Sequence, residues 1–380
     1  MKPKKFVLIP DSFKGTMSSS LICSIMQRAI LRRLPESEIK SIPVADGGEG
    51  SVDAFAQALG GERVTVSVAG PFMNRVDSTY IIVNGDTAVI EMASCAGLPL
   101  AEDHHLDPAS TTTYGVGEML LSAVGRGCRK IIIGLGGSCT VDGGCGAAAA
   151  CGVKFINKSG ETFVPAGGTL GEIVRIDSNS RDSRLEGISI VSMCDVDNPL
   201  HGKSGAAYVF GPQKGATPEM VSRLDEGLRN LDRVIFKSIG IDVGRMPGAG
   251  AAGGMGGGMV AFFGSSLQMG IETVLDTVGF DKQVKDADFV FTGEGKLDSQ
   301  SLRGKAVIGI ARRVRSCRST AKVIAFVGDI GDDISQCYEE GVTAVFSINR
   351  VCIPFSEARK RAESDLELTV ENFIRLIEKI

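Results

Sequence analysis

The N-terminal part of the chain repeats a pattern in which a short apolar run precedes a polar, glycine-containing loop and then a stretch with helical periodicity. Residues 5–10 are the first apolar run, the loop DSFKGTMSSS follows, and residues 21–34 have amphipathic helical spacing. Residues 39–44 begin a second such unit, in which ADGGEGS precedes the helical VDAFAQAL. Strands that alternate with helices predict a parallel sheet covered on both faces.

The C-terminal third has the same pattern. Apolar runs at 287–291, 323–327 and 343–347 are each followed by a polar loop and a helical stretch. Because both ends of the chain share this pattern, we predict that they form one α/β domain. That domain is a doubly wound, Rossmann-like parallel sheet built from residues 1–60 and 282–380.

The middle of the chain has a different pattern. Apolar runs at 64–68, 79–83 and 88–92 are close together, and the last two are separated by the turn Asn84-Gly85-Asp86, which favours a hairpin. We therefore predict an inserted, mixed α/β domain over residues 61–281. Two crossings between the domains predict a hinge and a cleft, and we expect the active site in that cleft.

Composition and charge exclude several classes of partner. The net charge is -4, and the 41 Lys and Arg residues are scattered along the chain, so no basic face for nucleic acid is expected. No apolar run is long enough to cross a bilayer, which predicts no membrane partner. The sequence leaves the number of subunits open, with a homo-oligomer among the alternatives.

The ten cysteines are also informative. They are spread from Cys23 to Cys352 without a CxxC pair, and the chain has only three His residues, so neither a zinc site nor a disulfide framework is predicted. We expect mostly buried, reduced thiols in a cytoplasmic protein.

The segment GLGGSCTVDGG at residues 134–144 follows the apolar run 130–133 directly. Its glycines leave the main-chain amides accessible, and Ser138 and Thr140 add hydroxyl donors, so the segment is typical of a nest for an anion such as phosphate. The alternative is that the glycines serve close packing of a helix against a strand.

Acidic residues in or beside glycine-rich loops suggest a magnesium site. Oxygen ligands without a His or Cys cluster suit Mg²⁺, which takes one or two carboxylates and leaves other positions to phosphates and water. Each residue taken singly is also a common turn or cap residue. The candidates are Asp46, Glu49, Asp142, Asp195, Asp197, Glu294 and Asp298.

Standard nucleotide and hydrolase motifs are missing or misplaced. The chain has no GxxxxGK[ST] and no GxSxG. GAGAAG at 248–253 has the spacing GxGxxG but follows VGRMP instead of a strand. We expect a helix over residues 251–263 whose first turn either packs closely or offers amides to a nucleotide.

Taken together, several motifs resemble those of the bacterial glycerate kinases of type 1. They occur in unbroken order from residue 10 to beyond residue 300: PDSFKG, VADGGEG, AVIEMASCAGL, TTYGVGEML, IIIGLGGSCTVDGG, CDVDNPL, FGPQKGA, PGAGAAGGMGGG and TGEGKLDSQS. The resemblance implies ATP-dependent phosphorylation of D-glycerate, giving 2-phosphoglycerate in the better known members. The family often has Ala and Asn where this chain has Cys139 and Val141.

Within that resemblance we predict a role for each site residue. Asp46 is the first choice for orienting the acceptor hydroxyl, Asp142 is the second, and Lys14 is a further catalytic candidate. We expect phosphate or ATP contacts from Gly136, Gly137, Ser138, Gly253, Gly254 and Gly293. Substrate contacts are expected from Asp11, Ser12, Lys14, Glu49 and Lys214, and Mg²⁺ contacts from Asp195, Glu294 and Asp298.

Two other functions remain as alternatives. A cytoplasmic sensor would bind a small acid or a nucleotide without turnover, and it would not need acidic residues beside the nest. An NAD-dependent oxidoreductase acting on a hydroxy acid is disfavoured by the misplaced GxGxxG.

Overall fold

The computed structural model describes residues 3–44, 50–102, 106–299 and 301–379. The chain divides into two compact units. Unit 1 comprises Met1–Asp46, Asp53–Gly60 and Met269–Ile380, and unit 2 comprises Gly47–Val52 and Gly61–Gln268. Unit 1 resumes at Met269 instead of residue 282 because the two helices after Met269 pack with a later helix of the same unit.

Strands and helices alternate along most of the described chain. The strands are β1 (Lys5–Leu8), β2 (Glu38–Ser41), β3 (Glu62–Ala69), β4 (Arg75–Val83), β5 (Thr87–Glu91), β6 (Lys130–Gly134), β7 (Lys154–Ile156), β8 (Thr162–Phe163), β9 (Arg175–Asp177), β10 (Ser189–Met193), β11 (Ser266–Gln268), β12 (Phe289–Thr292), β13 (Lys296–Leu297), β14 (Lys322–Val327), β15 (Asp329–Ile330) and β16 (Val342–Ser347).

The α-helices range from single turns to more than twenty residues. They are α1 (Ser19–Arg33), α2 (Ser51–Leu59), α3 (Ala93–Ala96), α4 (Pro99–Glu102), α5 (Tyr114–Gly125), α6 (Cys145–Ala150), α7 (Ala206–Phe210), α8 (Pro218–Ile239), α9 (Ala251–Phe263), α10 (Gly270–Thr277), α11 (Phe280–Val284), α12 (Ala306–Ser316), α13 (Ser335–Glu339) and α14 (Phe355–Ile377). Short 3₁₀ helices span Gly167–Glu172, Ser183–Leu185, Pro212–Lys214 and Ser301–Arg303.

Unit 1 contains a five-stranded sheet in the order β16-β14-β12-β1-β2, and every pair of neighbours is parallel. The predicted parallel pairing of the two ends of the chain is therefore confirmed. Numbered within this sheet, the order is 2-1-3-4-5, which is the flavodoxin-like arrangement and not the 3-2-1-4-5-6 order of dinucleotide-binding domains. The strand order reverses between β1 and β12.

Helices lie on both faces of this sheet. Phe6 and Leu8 of β1 and Phe291 of β12 pack with buried residues of α1 and α14 in one apolar cluster. Helix α12 contacts β12, β14 and β16. Successive residues of a strand face opposite sides of the sheet. The strand residues that alternate with those of this cluster therefore face the side on which α12 packs.

Unit 2 contains a six-stranded mixed sheet in the order β11-β10-β6-β5-β4-β3. The first four strands are parallel, whereas β3, β4 and β5 form an antiparallel meander. The hairpin predicted at Asn84-Gly85-Asp86 is confirmed, because Val83 pairs with Thr87 across it. Asn84 and Gly85 both have positive φ, as this tight turn requires.

The predicted helix over 251–263 is only partly regular. Ala252, Gly253 and Gly254 have left-handed φ and ψ, so the regular helical part of α9 follows these residues. The glycines there allow a conformation that side chains disfavour.

All ten cysteines are free, and most are buried, as expected from their spacing. None of the helices in the described part of the chain is both long enough and apolar enough to cross a membrane.

Candidate active site

The reversal point of the unit 1 sheet brings two predicted site loops together. Beyond the strand ends, Ile9 N–H donates to Phe291 O and Asp11 N–H donates to Gly293 O, both at 2.8 Å. The loops after β1 and β12 therefore run side by side at the carboxyl edge of the sheet. Ligands of open parallel sheets collect at this kind of position.

Glu294 is the most unusual residue of this edge. Glu294 is only 6% exposed, and its Oε1 has no hydrogen-bond partner within the part of the chain that the structure describes. The pKa of Glu294 is raised to about 7, mainly by burial and also by the negative charges of Asp11 and Asp298. The Ser301 hydroxyl and Lys305 act in the opposite direction. A buried carboxylate oxygen without a donor has capacity left for a ligand.

Other predicted site residues lie at the carboxyl edge of the unit 1 sheet, and their exposure and contacts differ. Asp11 is half-buried and its Oδ1 accepts from Ser12 N–H at 2.7 Å, while Lys14 is exposed. Gly293 is a glycine for a packing reason, because a Cβ there would lie 2.0 Å from Phe326 O. Asp298 is half-buried, and its N–H donates to Ser301 Oγ at 3.2 Å.

In unit 2 the glycine-rich segment begins at the carboxyl end of β6. Gly136 is half-buried and Gly137 is exposed, and among the described residues neither N–H forms a hydrogen bond. Gly137 O and Cys139 N–H bond to Leu98 and Ala96, which ties the loop down on its other side. Two adjacent unpaired amides at a strand end can receive an anion.

Lys214 lies beneath this loop and is only 1% exposed. Its Nζ donates to Ser138 Oγ at 2.7 Å and to Thr140 O at 2.8 Å. Burial lowers the pKa of Lys214 to about 8. The Thr140 hydroxyl is also buried, and it has no hydrogen-bond partner among the residues that the structure describes. The predicted contact between Lys214 and the substrate is therefore not supported by its position, since the amine is engaged inside the protein.

Asp142 is fully buried, and both oxygens of its carboxylate accept hydrogen bonds. Oδ2 accepts from the N–H and Oγ1 of Thr113 at 2.7 and 2.8 Å and from Gly146 N–H at 3.2 Å, and Oδ1 accepts from Gly144 N–H at 3.1 Å. Burial raises the pKa of Asp142, although these hydrogen bonds oppose the shift. The predicted role of Asp142 in orienting an acceptor hydroxyl gains no support from this position, because its oxygens hold the loop together, and that role stays a prediction.

Gly253 and Gly254 also serve close packing. A Cβ on Gly253 would lie 1.9 Å from Thr140 O, and one on Gly254 would lie 3.0 Å from the Gly143 Cα. Gly253 O accepts from Gly143 N–H at 3.1 Å. Both glycines are buried, so their predicted phosphate contacts gain no support from this packing. Close packing, one of the two alternatives for GAGAAG, is observed, and a contact of its amides with a nucleotide stays a prediction.

The predicted magnesium ligands lie at the carboxyl ends of strands in both units. Asp195 follows β10, which pairs with β6, so it lies at the same sheet edge as Gly136. Within the described residues, no three His, Cys, Asp or Glu side chains form a group that could hold a metal. Mg²⁺ needs fewer carboxylates than that when phosphates and water complete its shell. The magnesium site stays a prediction.

Two of the predicted residues, Asp46 and Glu49, lie outside the described residues. Two other residues near these loops, Thr113 and Glu91, were not predicted from the sequence. Thr113 supplies donors to Asp142, and Glu91 at the end of β5 accepts from Val52 N–H at 2.6 Å. The run of three threonines before α5, and an acid that ends an apolar strand, were the available signals.

Comparison with known proteins decides the family. The model of the glycerate kinase family matches residues 6–378. The chain belongs to the glycerate kinase family. Family membership makes the protein a kinase, so the carboxyl edges of the two sheets are candidate substrate-binding surfaces of a glycerate kinase family enzyme.

Relatives in the glycerate kinase family match over nearly their whole length. A glycerate kinase from Bacillus cereus is 43% identical over 369 residues, which cover 97% of this chain and 96% of the relative. A glycerate 2-kinase from Escherichia coli K12 is 41% identical over 345 residues, or 90% of each chain. A crystal structure from Salmonella typhimurium LT2, provisionally assigned as glycerate kinase 2, superposes with a TM-score of 0.88 at 37% identity, covering 100% of this chain and 99% of that one. The predicted α/β class is confirmed.

Proposed function

We propose that this enzyme transfers the γ-phosphoryl group of ATP to D-glycerate and forms 2-phosphoglycerate. The observation that carries the proposal is the match to the Escherichia coli glycerate 2-kinase over 90% of both chains. Such a match involves the whole chain and not one shared domain.

The glycine-rich loop after β6 supports phosphate binding. Among the described residues the N–H groups of half-buried Gly136 and exposed Gly137 have no partner, and the Ser138 hydroxyl follows them in the loop. Phosphoryl transfer depends mainly on positioning and on stabilising negative charge. Prearranged N–H and O–H donors supply both without a change of structure during the reaction.

Glu294, Asp298 and Asp195 are the residues that we propose for Mg²⁺. Glu294 fits a cation because one oxygen of its buried carboxylate lacks a donor. Nearby positive charge would also stabilise its ionised form, which burial disfavours. Magnesium bound with ATP supplies neutralisation of phosphate charge.

For the acceptor we propose Asp11, Ser12, Lys14 and Glu49 as contacts of D-glycerate, and Asp46 as the residue that orients its hydroxyl group. Asp11 and Ser12 lie at the reversal point of the unit 1 sheet, where ligands of such sheets bind. Lys14 is exposed and brings a positive charge to this edge, which suits the glycerate carboxylate.

The test is phosphorus NMR of the product formed from D-glycerate, ATP and Mg²⁺. We expect ATP consumption and the resonance of 2-phosphoglycerate. A 3-phosphoglycerate resonance would refute the regiochemistry, and binding without turnover would favour a sensor. Replacing Asp46 by Ala should lower turnover by about two orders of magnitude or more, with unchanged far-UV circular dichroism. Near-normal turnover would remove Asp46 from the mechanism.

We also propose a cytoplasmic location. Ten free thiols suit a reducing compartment. Fractionation of cells expressing the tagged protein should recover it with cytoplasmic markers.

A further inference from the structure

The environment of Lys214 is costly for a charged amine. The side chain is only 1% exposed, and no Asp or Glu in the described residues lies within ion-pair distance of Nζ. Removing an ammonium from water carries a large desolvation cost, and the negative charge of Asp142 offsets only part of it, since burial still lowers the pKa of Lys214. A hydrophobic side chain of similar length would avoid this cost, so packing alone does not account for a lysine here.

The direction of its hydrogen bonds is fixed by chemistry. An ammonium group only donates, so Ser138 Oγ must accept at 2.7 Å and Thr140 O must accept at 2.8 Å. The hydroxyl hydrogen of Ser138 is then directed elsewhere. No acceptor for it lies among the described residues. Ser138 therefore has a donor available to a ligand.

This donor adjoins the unpaired amides of Gly136 and Gly137. The Thr140 carbonyl that Lys214 also holds lies two residues further along the same loop. Lys214 thus fixes both the hydroxyl orientation of Ser138 and the path of the loop that follows it.

We propose that Lys214 is a positioning residue for ATP binding: it acts through Ser138 and the Thr140 carbonyl, without contacting the nucleotide, and presets the loop donors for phosphate. The inference rests on the proposed function and differs from the sequence-based expectation of a direct substrate contact. The positive charge beneath the loop adds to its attraction for anions.

Two other roles have different consequences. A direct contact between Lys214 and phosphate would make the double variant weaker than Lys214→Met, because the Ser138 hydroxyl would still contribute separately to ATP binding. A purely structural role would lower stability and change the use of ATP and of D-glycerate together. A positioning role predicts non-additive effects confined to ATP.

The experiment compares wild type, Lys214→Met, Ser138→Ala and the double variant. KM and kcat are measured separately for MgATP and D-glycerate, and affinity for a nonhydrolysable ATP analogue is measured by calorimetry. We expect Lys214→Met to weaken ATP binding about 10- to 100-fold, the range for lost hydrogen bonds to charged groups, with the KM for D-glycerate unchanged. Ser138→Ala should weaken it about 10-fold. The double variant should be no weaker than Lys214→Met.

Lys158→Met is the matched control, since Lys158 is exposed in unit 2, and it should behave as wild type. Lys214→Gln keeps N–H donors without the charge, so it should bind ATP more tightly than Lys214→Met does. If Lys214→Met does not fold, Lys214→Gln takes its place in the comparison. Additive losses, equal losses for both substrates, or unchanged ATP affinity would overturn the inference. Failure of wild type to phosphorylate D-glycerate would instead overturn the proposed function.

Discussion

The loops that follow β6 and β12 each place an acidic residue among glycines, yet the two carboxylates differ in their hydrogen-bond partners. Asp142 is fully buried and accepts hydrogen bonds from Thr113, Gly144 and Gly146. Glu294 is almost as buried, but no described residue donates a hydrogen bond to its Oε1. Burial raises the pKa of both.

The difference shows that burial alone does not identify a functional carboxylate. A carboxylate whose lone pairs are filled by backbone and hydroxyl donors stabilises the loop that supplies them. A carboxylate with an unfilled oxygen reduces stability when ionised, and a ligand can recover that cost. Asp142 and Glu294 should therefore respond to substitution in opposite ways.

Replacing Asp142 by Ala should have the largest effect on stability. It leaves several buried N–H and O–H donors without an acceptor, each costing about 1–3 kcal/mol, so we expect a loss of about 4 kcal/mol. Urea unfolding measures it. Asp182→Ala is the control, since Asp182 accepts only from neighbouring Arg184 at a more exposed position, and about 1 kcal/mol is expected. Equal losses would contradict the structural role of Asp142.

Gly253→Ala tests whether the same loop is closely packed. The new Cβ would lie 1.9 Å from Thr140 O, and Gly253 also has a φ of +68°, so we expect a loss of about 3 kcal/mol. Gly264→Ala is matched, because Gly264 has a φ of +66° and nothing within 4 Å of its Cβ position. It should lose about 1 kcal/mol from backbone strain alone. Urea unfolding measures the loss of stability in each variant, and the difference between the two losses is the cost of the close contact.

Glu294→Gln should affect activity more than folding. Gln keeps the shape but loses the charge that we propose for the cation, so kcat/KM for MgATP should fall about 100-fold, the scale of one lost electrostatic contact. Glu363→Gln, on an exposed position of α14, should leave kcat/KM unchanged. Unchanged activity in Glu294→Gln would exclude Glu294 from the site.

The same variant should show the smallest effect in unfolding, with the opposite sign to Asp142→Ala. The folded-state pKa of Glu294 is about 7, above its ordinary value of 4.5, so the folded state holds this proton more tightly. Its contribution to stability is therefore full below pH 4.5 and is lost as the pH rises through about 7. At pH 8 Glu294→Gln should exceed wild type by about 1 kcal/mol, and this advantage should vanish near pH 4. A destabilised variant at pH 8 would make Glu294 a structural residue like Asp142.

The sequence by itself determined the local elements and much of the topology. Alternating strands and helices predicted the parallel pairing of β1 with β12, and Asn84-Gly85-Asp86 predicted the hairpin between β4 and β5. These features depend on periodicity and turn chemistry within short segments, which the sequence displays directly. The ordered motifs identified the family because each motif is also a short segment that the sequence displays directly.

Only the tertiary structure decided which carboxylates of the candidate site accept hydrogen bonds at both oxygens and which have an oxygen without a donor. Two of the donors to Asp142 come from Thr113, 29 residues away, and Lys214 reaches Ser138 across 76 residues. Gly253 is needed because another loop's carbonyl approaches it, a contact that GAGAAG does not reveal. Burial and hydrogen-bond saturation are set by neighbours that are distant along the chain, so composition within a loop cannot distinguish a carboxylate that holds the fold from one that can bind a ligand.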